Sequence, residues 1–212
     1  MEGGVEPPHS RDCCRLCEIK ETNMLARLMI ATIALSFSIA LADDKPAKIE
    51  KPKKLEPAKC GAVKQLHVLD DIYLAGQPSA EDFAEFKKRG VKSVLNVRTK
   101  EELDFDEAKT IKNLGLEYHH IPIAGPEALT DENFDKIRKL LNTKEERPMV
   151  FHCTAANRVG AVWLAHRVLD GGLTYDAALA EAKTVGLKAP ALEAKAKDYI
   201  AKQKAKKAEV SK

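Results

Sequence analysis

The sequence carries little net charge of either sign. Its 212 residues hold 35 basic and 32 acidic side chains, a net of +3, so no global field marks a nucleic-acid binder. Ten prolines and eleven glycines are too few and too scattered for a fibrous or low-complexity chain. Metal-ligand spacing of the His-Glu-x-x-His kind is missing, and so is a glycine-rich nucleotide loop. His119 and His120 are adjacent; on a strand they face opposite sides and cannot both ligate one metal. The expectation is a protein that works without metal or cofactor. Long apolar runs are short of a membrane span as well. The longest, Leu28–Ala42, has 15 residues against the ~20 of a spanning helix. What is present, 44% hydrophobic and 32% charged residues, describes a globular chain able to bury a core.

That 15-residue run has the form of an export signal. Met24 opens it, Arg27 supplies a positive charge, and Ala40-Leu41-Ala42 ends it as a small-x-small cleavage site. The pattern predicts a signal peptide over 24–42, cleavage after Ala42, and a periplasmic or secreted product with no stable membrane span. Met24 also reads as the true initiator, with residues 1–23 not translated. Cys13, Cys14 and Cys17 fall in this leader without a matching pair downstream, so no metal or disulfide site is expected there. Residues 43–62, with alternating charge and Pro46, Pro52 and Pro57, read as a solvated tether that includes Cys60, an incidental thiol. Seven lysines and two acids between Lys195 and Lys212 read as the solvated end of a helix begun near Pro190, with 202–212 a basic tail.

Between tether and tail, over 63–201, strand and helix patterns alternate. Strands are predicted at His67–Leu69, Ile72–Ala75, Val91–Val97, Leu116–Ile121 and Met149–His152. Helices are predicted at Ala80–Arg89 behind an N-capping Ser79, at Glu101–Asn113, and at Asp131–Leu141 behind Thr130. Three more follow at Arg158–Leu169, Tyr175–Val185 and Ala191–Ala201, with Trp163 a core residue. Such alternation predicts an α/β domain with a mainly parallel central sheet flanked by helices. Sites in such sheets lie at the carboxyl ends of the strands.

One strand end carries chemistry. Met149–His152 leads into Cys153, then Thr154, Ala155, Ala156 and Asn157, then Arg158 at the start of a helix. The free amides of Thr154–Arg158 would point into the turn, toward the sulfur and any anion beside it. Those donors, the helix dipole and the guanidinium favour thiolate over thiol, which predicts a depressed pKa for Cys153. A thiolate in a cup of N–H donors beside a two-pronged arginine is suited to attack or hold a tetrahedral oxyanion. Ala155 and Ala156 leave the backbone accessible, and His152 would lie behind the cysteine and orient the loop.

His152-Cys153-Thr154-Ala155-Ala156-Asn157-Arg158-Val159-Gly160 resembles the signature loop of the cysteine-dependent phosphatases, the tyrosine and dual-specificity superfamily. The chain is similar in particular to the bacterial beta-lactamase-hydrolase-like phosphatase domain. It shares a Gly76-Gln77-Pro78-Ser79 turn after a strand, an Asn96-Val97-Arg98 strand end followed by Glu101 and Glu102, and an Ile121-Pro122-Ile123 segment. The resemblance runs from about Leu66 to about Tyr199. It implies Cys153 as nucleophile, Arg158 as phosphate clamp, Thr154, Ala155, Ala156 and Asn157 as the amide cradle, and a phosphorylated small molecule or protein as substrate.

Three features separate this loop from the usual one. Four residues, not five, stand between Cys153 and Arg158, a spacing seen in many rhodanese-type sulfurtransferases. Val159 occupies the place where a hydroxyl usually follows the arginine. The segment Ile121–Thr130, where a general-acid aspartate is usual, has none. Glu127 is the carboxylate best placed there to protonate a leaving group. Asp131 follows it, with an ordinary role as a first-turn helix acid, and Asp104 and Asp106 come after. Arg98 is expected to pair with Glu101 or Glu102. Three activities remain open: phosphate monoester hydrolysis, sulfur transfer through a Cys153 persulfide, and anion binding without turnover.

Overall fold

The computed structural model describes residues 54–210. The expected signal peptide with its cleavage site, the uncertain start at 1–23 and most of the tether lie outside them. Strands β1 (Glu56–Pro57), β2 (Leu66–Leu69), β3 (Ile72–Ala75), β4 (Ser93–Asn96), β5 (Glu117–His120) and β6 (Met149–His152) form one sheet in the order β1-β2-β3-β6-β4-β5. β3, β6, β4 and β5 are mutually parallel, and β1 and β2 extend the edge antiparallel. This is the mainly parallel α/β architecture expected from the alternation. Helices α1 (Ala80–Lys88), α2 (Glu107–Asn113), α3 (Asp131–Asn142), α4 (Asn157–Leu169), α5 (Tyr175–Val185) and α6 (Pro190–Val210) cover it. Among the described residues no helix is long and apolar enough to cross a membrane.

The central strand β6 shows why both faces are covered. All four of its residues are buried, and alternate side chains enter different cores. Phe151 and Met149 join Leu74, Phe134, Trp163 and Tyr199 on the side of α3, α4 and α6. Val150 joins Phe83, Phe86, Val94 and Ile111 on the side of α1 and α2. Each such large side chain contributes on the order of 2 kcal/mol by leaving water. Every residue of α4 from Val159 to Ala165 is buried, as fits a helix between the sheet and outer helices. Trp163 is fully buried in it, as expected. Gly160 lets the α5–α6 connection close over it. A Cβ there would stand 2.8 Å from the Ala182 carbonyl and 2.9 Å from Leu187.

Three elements differ from the sequence expectation. The single helix expected over Glu101–Asn113 is two pieces, a 3-10 turn at Lys100–Glu102 and then α2. Asp106 breaks it by capping α2, its carboxylate accepting from the Lys109 amide at 3.0 Å. Cys60 is 1% exposed, packed with the core on the side of α1 and α2 rather than free in a tether. The stretch around it is fixed by β1 pairing with β2 and by the Ala62 amide donating to Asp82 at 2.7 Å. Burial pushes the Cys60 thiol up from its ordinary pKa. Helix α6, finally, continues through the expected tail to Val210.

Candidate active site

The carboxyl ends of β3, β6 and β4 meet at one crevice, where parallel sheets place their sites. Cys153 follows the last residue of β6, its amide donating to the Ala75 carbonyl at 3.3 Å. The loop is pinned from the β3 side by a Gln77 amide bond to the Thr154 carbonyl at 3.2 Å. Ala156 then turns the chain into α4 with φ 57° and ψ 12°, a left-handed conformation that costs an alanine roughly 1 kcal/mol. Gly186 permits the next connection to press on this turn: its φ is +145°, and a Cβ there would lie 3.0 Å from the Ala155 carbonyl. Among the described residues no backbone carbonyl accepts from the amides of Thr154 or Ala155. They remain donors for a ligand.

Cys153 is 1% exposed, at the floor of a cavity of about 390 Å³. Thr154, Ala155, Asn157 and Arg158 line the cavity together with the apolar Gly125, Pro126 and Leu192. The structure therefore brings Cys153, Arg158 and the loop residues to one place. Ala156 lies buried beneath the turn, outside the lining. The Asn157 side chain faces away, accepting from the Lys188 and Ala189 amides at 3.0 and 3.2 Å. Its work is to tie the start of α4 to the start of α6.

Arg158 is gripped by Glu102. Nη1 donates to Oε2 and Nη2 to Oε1, both at 2.8 Å, a two-pronged pair. Nη1 also donates to the Ile123 carbonyl at 2.7 Å and Nη2 to Thr154 Oγ1 at 3.0 Å. Burial opposes the arginine's charge, but Glu102 and the neighbouring Cys153 sulfur outweigh it and raise its pKa. In return the Arg158 hydrogen bond holds the Glu102 carboxyl down at about 2. Thr99 adds its amide at 2.8 Å. Glu102 is the carboxylate of the cavity, and it is ionised throughout the neutral range.

The expected proton donor is elsewhere. Glu127 is 90% exposed and accepts from Lys195 Nζ at 2.7 Å, outside the cavity that holds Cys153. The loop lies at the right end of the sheet, but its side chain follows the cation on α6. Asp131 stays on the first turn of α3 with Lys202, Asp106 caps α2, and Asp104 is exposed. His119 Nε2 lies 2.8 Å from Glu146 Oε2 and His120 Nε2 2.7 Å from the Arg98 carbonyl, so the two histidines have separate partners.

Behind the loop lies a polar network that the sequence did not announce. His152 is fully buried, its Nε2 3.1 Å from Oε1 of an equally buried Glu107. Tyr118 donates to the same Oε1 at 3.1 Å and Gln77 to Oε2 at 2.7 Å. Burial works to raise the Glu107 pKa, but the His152, Gln77 and Tyr118 partners win and lower it. A carboxylate only accepts, so Nε2 of His152 carries the proton. Arg98 is paired differently from expectation. Its guanidinium donates to Gln77 Oε1 at 2.6 Å and to the backbone carbonyl of Glu102, because the Glu102 carboxylate is taken by Arg158. The signal for Glu102 was its place just beyond β4, at the carboxyl edge of the sheet; for Glu107 there was none.

Comparison with known proteins agrees with this geometry. Residues 71–172 match the family described as "Polymorphic toxin system, DSP-PTPase phosphatase". A beta-lactamase hydrolase-like protein of Xylella fastidiosa is 25% identical over 120 residues, 54% of this chain and 27% of that protein. The chain thus spans about a quarter of that relative's length. In fold it is similar to a DUF442 protein of Shewanella putrefaciens, with TM-score 0.58 and 20% identity over 66% of this chain and 94% of that one. It is also similar to P. aeruginosa TpbA in complex with pTyr, with TM-score 0.53 and 20% identity over 68% and 90%. The strand-loop-helix that carries Cys153 and Arg158 falls inside the matched residues; over 71–172 the chain is similar to the DSP-PTPase phosphatases, in sequence to the beta-lactamase hydrolase-like proteins, and in fold to the solved structures above.

Proposed function

We propose that the chain is an exported hydrolase of phosphate monoesters that works through a covalent Cys153 intermediate. The observation that carries this reading is the buried Cys153 beside a guanidinium fixed by Glu102, with free loop amides around both. The Cys153 thiolate attacks phosphorus, forming an S–P bond as the bond to the leaving oxygen breaks. Arg158 and the amides of Thr154 and Ala155 hold the non-bridging oxygens as charge redistributes. Water then attacks phosphorus, releasing phosphate and returning the electron pair to sulfur. Glu102 keeps the Arg158 fork in register and, ionised as it is, donates no proton. The leaving group therefore departs with little help, which favours aryl phosphates over alkyl ones. The pTyr bound to TpbA supports an aryl phosphate of the tyrosine type as the substrate class. Export rests on the residue pattern of 24–42, and a mature N-terminus at Asp43, found by mass spectrometry, would test it.

A second reading, anion binding without turnover, is favoured by Glu127, which faces Lys195 instead of the cavity. Hydrolysis of a small aryl phosphate by the reduced protein separates the two. Phosphate release that disappears in Cys153→Ser supports the hydrolase, while phosphate binding without release supports the binder.

A further inference from the structure

Gln77 stands in the Gly76-Gln77-Pro78-Ser79 turn that leads into α1. Its side chain sits between two buried ionised groups, with one end on each. Nε2 donates to Glu107 Oε2 at 2.7 Å and to the Pro78 carbonyl at 2.9 Å. Oε1 accepts from Arg98 Nη1 at 2.6 Å. Donor facing carboxylate and acceptor facing guanidinium fix the orientation of the amide, because the flipped form would set like against like at both ends.

What lies beyond each end gives the arrangement its meaning. Past Glu107 stands His152, the residue before Cys153 in the chain. Past Arg98 stands the backbone of Glu102, whose carboxylate grips Arg158. The path runs Cys153, His152, Glu107, Gln77, Arg98, Glu102, Arg158, and the last residue is the neighbour of the first across the cavity. Tyr118 and Asn96 brace the middle: Asn96 donates to the Tyr118 hydroxyl at 3.0 Å and accepts from the Arg98 amide at 2.7 Å. Glu107 and Arg98 are both buried, so each depends on this amide for a partner that water does not replace.

We propose that Gln77 is a positioning residue that couples the nucleophile to the clamp, holding Cys153 through Glu107 and His152, and Arg158 through Arg98 and Glu102. The inference rests on the reading of Cys153 as nucleophile and Arg158 as anion clamp. Its content is the coupling: one amide outside the cavity floor sets both at once. Loss of it leaves a buried carboxylate and a buried guanidinium each short of a bond, and the loop amides and fork slip from the sulfur together.

Two readings of the full, reduced chain test this without requiring turnover. One is the rate of iodoacetamide alkylation at Cys153 at pH 7, followed on its peptide. The other is protection of Cys153 against that reagent by inorganic phosphate. Gln77→Leu is expected to slow alkylation and to weaken phosphate protection, each by roughly tenfold. General loosening would instead speed alkylation by opening the floor. Asp170→Asn, which weakens a local ion pair with Arg138 outside the network, is the control expected to move neither reading. Should Gln77→Leu fail to fold, the exchange Q77E with E107Q keeps the buried charge and restores the donor–acceptor match between positions 77 and 107 and toward Arg98, losing only the bond to the Pro78 carbonyl. That pair is expected within about threefold of wild type on both readings, while Q77E alone sets two carboxylates face to face and loses both.

A folded Gln77→Leu that alkylates as fast as wild type or faster, or that loses only one reading, would overturn the coupling. So would a folded exchange variant that recovers neither. The functional reading fails differently: phosphate would then give wild-type Cys153 no protection.

Discussion

Two arginines in this molecule are held by carboxylates in nearly the same way, and they do different work. Arg158 meets Glu102 through two bonds of 2.8 Å. Arg138 on α3 meets Asp170 through bonds of 2.8 and 2.6 Å. Around Arg138, however, the other partners are all protein side chains. Its third donor goes to the Tyr199 hydroxyl at 2.6 Å, Tyr199 stacks on Phe134 at 4.3 Å, and His166 completes the Asp170 carboxylate at 3.0 Å. Around Arg158 the neighbours are a thiol, two free amides and a cavity. The ion pair alone does not mark a site. Donors left facing an opening do.

The contrast can be broken by removing one arginine or the other. Arg158→Ala is expected to lower aryl phosphate turnover by roughly 10³-fold or more. Cys153→Ser should remove turnover altogether. Glu102→Gln is expected to cost roughly 10- to 100-fold, read mainly as a raised KM because the fork loses its register. Its effect has a defined pH window. The Glu102 pKa is lowered from its usual 4.5 to about 2, so its contribution to stability is fully present above the ordinary carboxylate range. It is lost as pH falls through the lowered value. The stability gap between wild type and Glu102→Gln should therefore be flat from neutrality to about pH 5 and close toward pH 2.

Asp170→Asn reverses the pattern. Arg138 and Asp170 are only 17% and 19% exposed, and the change should cost about 2 kcal/mol, a melting shift of roughly 4–8 °C. Turnover per folded molecule should stay the same. The smallest effect is expected from Glu127→Gln. With its carboxylate 90% exposed on Lys195, stability should move by less than ~0.5 kcal/mol and turnover by less than about twofold. A much larger loss of turnover would return Glu127 to the role of proton donor.

The comparison also shows what a sequence can carry. Met149–His152 followed by small residues and an arginine is a local pattern, and the strand, the turn and the start of α4 were legible from it. The sheet was legible for the same reason, since its inner parallel strands β3, β4 and β6 are short, largely apolar runs between capped helices. Glu107 was not, because an acid in the first turn of a helix looks like any other dipole partner. Its burial depends on Tyr118, 11 residues on, and on Gln77, 30 residues back. The direction of the Glu127 carboxylate was not legible, because its partner Lys195 lies 68 residues away. Cys60 was misread because its proline- and lysine-rich neighbours dominate the local composition, while the packing of the α1 side of the sheet decides its burial.

The most direct test of Cys153 as a nucleophile clamped by Arg158 is hydrolysis of 4-nitrophenyl phosphate by the reduced protein. Cys153→Ser and Arg158→Lys would be assayed beside it. The expected result is turnover by wild type, none by Cys153→Ser, and a large loss in Arg158→Lys, whose ammonium cannot reproduce the two-pronged grip of Glu102. Equal turnover by wild type and Cys153→Ser would contradict it.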